Sequence, residues 1–184
     1  MTEPLTGDGL SSPETSTPFS LKLPGYKEQT AVLGALTSYI AIQGHTKDGT
    51  TPAGKSAQAL FSKITHHIDD LESQEDKEFV LDLGTQTEQD ALKSALFFKV
   101  HQDTTAEMNG HLKPNDKSNL SALRGYYRDL VGHHRERLSE TELLGTGLVD
   151  EISIQRLEEI SDSTDPSYAG LKPYANYFLK LRKQ

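Results

Sequence analysis

Two groups of residues in this chain have the types and spacing to do chemistry. Gly49-Thr50-Thr51-Pro52-Ala53-Gly54-Lys55-Ser56 fits the pattern GxxxxGK[ST] letter for letter. In nucleotide-binding proteins that spacing lets backbone N–H groups wrap phosphates, while the lysine reaches the outer phosphates and the hydroxyl binds magnesium. Gly49, Gly54, Lys55 and Ser56 are therefore candidate cofactor residues, for ATP or GTP with Mg. Further on, Phe79-Val80-Leu81-Asp82 resembles an apolar run ending in a metal-binding aspartate. The second group is histidine-rich: His66-His67 with Asp69-Asp70, and His133-His134 with Glu136. Residues three apart share a helix face, so His67, Asp70 and His134 are candidate ligands for one divalent metal between two helices. Such a site would serve a metal-dependent hydrolase.

Local context competes with both. A phosphate loop follows directly on a buried strand, whereas Gly44-His45-Thr46-Lys47-Asp48 separates Ile42 from Gly49. Thr51-Pro52 has the form of a helix cap followed by the first helical residue, which would straighten the loop. Adjacent histidines on a helix diverge by about 100°, so each pair gives only one member to a site. Helix C-terminal ends also favour His and Arg through the dipole, with no ligand needed. There is no Cys, and neither a GxSxG elbow nor an SxxK motif nominates a nucleophile.

The elements that must position these residues read as helices. The strongest pattern is Leu120 to Leu138, where Leu120, Leu123, Tyr127, Leu130, His134 and Leu138 fall on one stripe. Asp116 or Ser118 can cap its start. Its outer face carries Arg124, Arg128 and Arg135, with Tyr126 at the edge. Arg and Tyr dominate many interfaces, which makes these four candidate partner-binding residues for an acidic protein surface. Other helices are expected from Lys27 to Gln43, from Thr51 to Glu72 and from Thr87 to Met108, with Thr87 and Asp90 as the capping pair of the last. Within the first of them, Tyr39 to Ile42 has the alternative of a strand. Phe79 to Leu83 is a short strand or a helical turn. Ser139 and Glu142 form a capping box, Ile152 to Ile160 patterns as a helix, and Asp165-Pro166 starts a turn. A last helix follows Pro173, with Tyr174, Tyr177, Phe178 and Leu181 turned inward. No internal repeat is evident.

Composition supplies the frame. The chain has 184 residues, 34 % hydrophobic content and a net charge of −8. That charge argues against nucleic acid as a partner, since phosphate binding needs surplus Lys and Arg. No run approaches the roughly eighteen apolar residues of a membrane span, and the first residues lack a basic-then-apolar signal. Residues 1–24 are rich in Ser, Thr, Pro and Gly, and read as a disordered tail dispensable for folding, with the alternative that Phe19, Leu21 and Leu23, alternating with polar residues, add a strand to a partner's sheet edge. Residues 25–184 then form one all-α domain, an irregular bundle of five or six helices. Expected location is the cytoplasm, or outside after export without a cleavable apolar signal. The tail and the acidic segment LEEISDSTD resemble secretion signals of bacterial effectors in composition. The leading functional expectation is a non-catalytic module that binds another protein. The phosphate-loop and metal-hydrolase readings follow in that order.

Overall fold

The computed structural model describes residues 17–43, 45–46, 49–69 and 77–183. Strand β1 (Phe19–Leu23) leads into α1 (Tyr26–Gln43). A two-residue ladder, β2 (His45–Thr46) with β3 (Gly49–Thr50), connects to α2 (Pro52–Asp69). Then come β4 (Phe79–Leu83), α3 (Gln86–Met108) and α4 (Pro114–His133). The chain finishes with α5 (Glu140–Thr146), α6 (Ile154–Asp162) and α7 (Lys172–Arg182), separated by two 3-10 turns. The protein is a mostly helical bundle that also carries short paired strands. Phe19–Leu23, expected as the end of an unstructured tail, pair antiparallel with β4. Leu21 and Leu23 alternate with exposed Ser20 and Lys22, so period-two patterning in this segment marks a half-buried strand. Residues 1–16 of the expected tail lie outside the described residues. Seven α-helices stand among the described residues where five or six were expected.

The fold contains a repeat that pattern-reading missed. Shifting the chain by sixty residues superimposes Phe19-x-Leu21-x-Leu23 on Phe79-x-Leu81-x-Leu83, and Glu28-Gln29-x-Ala31 on Glu88-Gln89-x-Ala91. Both strands show the same burial pattern along their length. Their register obeys the same exchange: Phe19 faces Leu83, Phe79 faces Leu23, and Leu21 faces Leu81 at the centre. The glutamine following each strand repeats the exchange. Gln29 is fully buried and donates its amide to Lys77 O at 2.7 Å, while Gln89 donates to Thr17 O at 2.9 Å. Each glutamine thus ties its own helix to the residue just before the opposite strand. Each also keeps a buried carbonyl oxygen without a partner among the described residues. The two β-α-α units, β1-α1-α2 and β4-α3-α4, are related by an approximate two-fold axis through the ladder.

That axis organises the core. Val32, Ala35, Leu36 and Tyr39 of α1 meet Leu92, Ala95, Leu96 and Val100 of α3 in one buried cluster. The paired alanines, Ala35 and Ala95, keep those two helices close. Helix α2 packs on α1, α3 and β4, and α4 packs on α3, α1 and β1, so each outer helix reaches across to the other unit's strand. Burial of these aliphatic side chains, worth roughly 1.5–3 kcal/mol apiece, is the main favourable term. The C-terminal third attaches to one side, through α5 on α3 and α7 on α5 and α6.

Helix starts follow local chemistry. Thr51 Oγ1 accepts from Gly54 N at 2.9 Å and Pro52 opens α2, as expected. Ser139 and Glu142 form the expected capping box of α5. The box on α3 uses Thr85 and Glu88, two residues earlier than the expected Thr87 and Asp90. Helix α4 opens at Pro114 with no side-chain cap, ahead of Asp116 and Ser118, because proline at the first position needs no N–H partner. It ends at His133, so the stripe out to Leu138 was too long. Leu181, expected inward, is exposed.

Arg135 terminates α4 in the left-handed region at φ 54, the one non-glycine positive φ among the described residues. Its N–H bonds Gly132 O, and Glu136 N–H bonds Val131 O, the arrangement glycine usually closes. An L-residue there costs about 1–2 kcal/mol. Arg135→Gly is accordingly expected to raise the melting temperature by roughly 2–4 °C, after its entropic cost in the unfolded chain. A melt showing a clear decrease would mean the arginine side chain makes a stabilising contact.

Candidate functional site

The candidate phosphate residues sit in a helix start. Gly49 lies in β3, paired with Thr46, and does not precede a curling loop. Gly54 is buried in the first turn of α2, its N–H held by Thr51, and Lys55 N–H bonds Thr51 O at 2.9 Å. These N–H groups point back along the helix instead of converging on a shared centre. Lys55 projects exposed and Ser56 is half-buried. The capping by Thr51 and Pro52 thus prevails over the cradle that the motif would form.

The candidate metal ligands are kept apart by the two-fold arrangement. His67 stacks on Phe79, ring centroids 4.5 Å apart, and His133 packs on Phe19 at 4.8 Å. Because Phe19 and Phe79 cap opposite ends of an antiparallel ladder, the two histidines stand about four residues of strand apart, roughly 13 Å. His134 neighbours His133, with its Nδ1 3.4 Å from Gln86 Nε2 and its Nε2 buried without a partner. It therefore belongs to the end of the ladder away from His67. Asp70 lies outside the described residues. No cluster of three or more metal-ligating side chains occurs among the described residues.

The expected arginine face is also dispersed. Arg124 turns inward: its Nε donates to Thr146 O at 2.8 Å, and its Nη2 to Thr104 Oγ1 at 2.9 Å and Glu107 Oε2 at 3.0 Å. Its guanidinium lies across Gly147, where an added Cβ would come within 2.5 Å of Nη2. Gly147 has φ +73, so the position suits glycine on two counts. His101 Nδ1 meets Gly145 O at 3.1 Å, so α3 and α4 together hold the last carbonyls of α5. Arg128 reaches Asp150 at 3.5 Å from an exposed position, and Arg135 is exposed beyond the helix end. Tyr126 is partly buried against α1. Burial first, then the carboxylates of Glu28 and Asp129, push its phenol up to about 12. The four residues do not line up as one outer stripe.

Of the surface clefts, two lie against aromatic side chains of the helix pairs. One is a cleft of about 380 Å³ lined by Tyr39, Lys93, Ser94, Phe97, Phe98, Tyr127 and Glu142. Its charged groups are already engaged. Lys93 Nζ bonds both oxygens of Glu136 at 2.8 and 2.9 Å, and Glu142 Oε2 accepts from Ser139 N and Oγ. Burial, with the nearby Glu142 and Glu136, holds the Tyr127 phenol well above its usual range, so it stays protonated near neutral pH. Comparison with protein-family models, curated proteins and solved structures finds no match.

The second feature is an open hollow of about 300 Å³ between α1 and α2, lined by Thr37, Ile40, Ala41 and Phe61. Its lining is almost wholly apolar. Ile42, 58 % exposed, lies outside this lining, about 100° round the helix from Ala41. Ile40 and Phe61 belong to no sequence motif. The signal that would have found the hollow is the repeat itself, because Phe97, Val100 and His101 occupy the same positions in α3. No helix of the described residues is long and apolar enough to cross a membrane.

Proposed function

We propose that this chain is a non-catalytic protein-interaction module that docks a partner protein through the apolar hollow between α1 and α2. The observation that carries the reading is the almost wholly apolar lining of that hollow: Ala41 open to solvent, with Ile40 and Phe61 half-covered beside it. Contiguous apolar surface of this kind marks contact sites far more often than isolated exposed leucines do. The arginines first suggested for docking lend less support, since Arg124 spends its donors on Thr104, Glu107 and Thr146. The cleft beside Tyr127 lends less too, its ionic groups being bonded to one another.

The test is positional. A photo-crosslinking residue placed at Ala41, exposed in the lining, is expected to give a discrete adduct with another protein in the cells that make the chain. The same residue at Leu181, exposed on α7, is the control. Adducts at both positions alike, or at neither, would overturn the reading.

A further inference from the structure

We infer that the α1–α2 hollow takes a short amphipathic helix of a partner protein, carrying two adjacent leucines behind an acidic, capped first turn. This rests on the docking reading above and specifies what docks. The argument comes from the two-fold repeat, which supplies a partly covered copy of the same groove within the molecule.

The correspondence is set by contacts. Positions of α1 map onto α3 by the sixty-residue shift, so Thr37, Ile40 and Ala41 correspond to Phe97, Val100 and His101. For the outer helices, His67 on Phe79 matches His133 on Phe19. That match aligns Phe61 with Tyr127, and buried Ala57 and Ile64 with buried Leu123 and Leu130. All four lining residues of the open hollow therefore have counterparts in the α3–α4 groove.

In the second unit α5 lies along α3 and covers one end of that groove, over Val100, with the Phe97–Tyr127 cleft beside it. Helix α5 packs on α3 and buries Leu143 and Leu144, which are 7 % and 0 % exposed. Its Glu142 lies with Phe97 and Tyr127 around one cleft, and its Gly145 carbonyl meets His101. Val100 is fully buried in this unit, whereas its counterpart Ile40 stays partly open. The first unit has no described counterpart of α5 following α2. One groove is covered at one end by a capped helix reading Ser-Glu-Thr-Glu-Leu-Leu-Gly-Thr, and among the described residues its repeat has no such cover.

The differences between the grooves refine the partner. Phe97 and His101 are replaced by the smaller Thr37 and Ala41, so the open groove has more room over α1 and suits leucines. Arg124, which binds the end of α5, is replaced by exposed Gln58. A glutamine amide still donates to a helix C-terminal carbonyl, but without charge. Docking of an amphipathic helix into a groove is a common mode of recognition, with anchors at helical spacing.

The experiment is selection from a displayed library of short helical peptides against the full chain. Enriched peptides are expected to carry adjacent leucines preceded by an acidic residue. Their binding should weaken roughly tenfold or more with Ala41→Arg or Thr37→Arg, both exposed positions, and not with Leu181→Asp. Phe61→Asp should do the same, and melting curves will show whether that half-buried variant still folds. No enrichment, enrichment of extended or non-leucine sequences, or indifference to the α1 variants would overturn the inference. Self-association in sedimentation that Ala41→Arg abolishes would also overturn it, assigning the groove to a second copy. If peptides fail while the probe at Ala41 still crosslinks a partner, the helix is wrong and the docking reading stands.

Discussion

A chain that begins at Gly25 is expected to melt far below the intact protein, or to show no cooperative transition. The truncation removes β1, and with it Leu21 and Leu23, which are 3 % and 0 % exposed. Losing two buried leucines alone costs about 3–6 kcal/mol, against a total stability on the order of 5–15 kcal/mol. Three further losses compound this. Strand β4 keeps its position but loses every ladder partner. Gln89, buried in α3, loses its acceptor Thr17 O. His133 loses both Thr17 O and the Phe19 ring. A chain beginning at Thr17 retains all of these contacts and is the control. Thermal melts followed by circular dichroism decide the matter. If the chain from Gly25 melts within a few degrees of the chain from Thr17, the ladder is peripheral to stability.

Helices were the legible part of this fold. Their apolar stripes repeat every three or four residues over long spans, and Thr51-Pro52 and Ser139-Glu142 mark starts by chemistry that acts within one turn. Strand β4 was legible only as one of two alternatives, since five residues hold too few periods to separate strand from helical turn. Strand β1 was hidden by its neighbourhood. The Ser- and Pro-rich residues before it dominate composition, and what orders Phe19–Leu23 is a partner strand sixty residues away. Its local trace is only the alternation of Phe19, Leu21 and Leu23 with polar residues, which fits pairing with a partner's sheet edge as well as with β4. The repeat was readable in principle, because Glu28-Gln29 and Glu88-Gln89 follow identical Phe-x-Leu-x-Leu frames. The intervening residues differ enough that hydrophobic periodicity alone passes over it.

The candidate site residues are dispersed for related reasons. GxxxxGK[ST] and the histidine pairs are local patterns whose meaning depends on what precedes the loop and where two helices meet. The loop is preceded by a two-residue ladder, and the two-fold axis sends His67 and His133 to opposite ends of β1 and β4. The hollow between α1 and α2 has no motif at all. Thr37, Ile40, Ala41 and Phe61 become a site only because two helices bring them together and no described segment covers them.

Arg124→Glu is expected to destabilise the protein severely, which separates a structural arginine from a docking one. The side chain is 20 % exposed and closes three contacts from one guanidinium, to Thr104, Glu107 and Thr146. Replacement by glutamate leaves the Thr146 carbonyl without its donor and sets a second carboxylate beside Glu107, itself 19 % exposed. Breaking a pair buried to this degree and leaving one charge uncompensated costs about 3–5 kcal/mol. For a chain of this size that is a drop of roughly 6–20 °C in melting temperature. Arg124→Lys should fall between, because an ammonium keeps the attraction to Glu107 but lacks the planar fork that spans all three acceptors. Arg128→Glu provides the contrast. Its side chain is 50 % exposed and its partner Asp150 is 83 % exposed, so water screens the pair and the change should cost less than about 1 kcal/mol. Similar melting temperatures for Arg124→Glu and Arg128→Glu would show that the guanidinium does not hold α5 against α3 and α4. A large gap between them would fix Arg124 as the residue that seats the helix, and with it the partly covered groove on which the open one is matched.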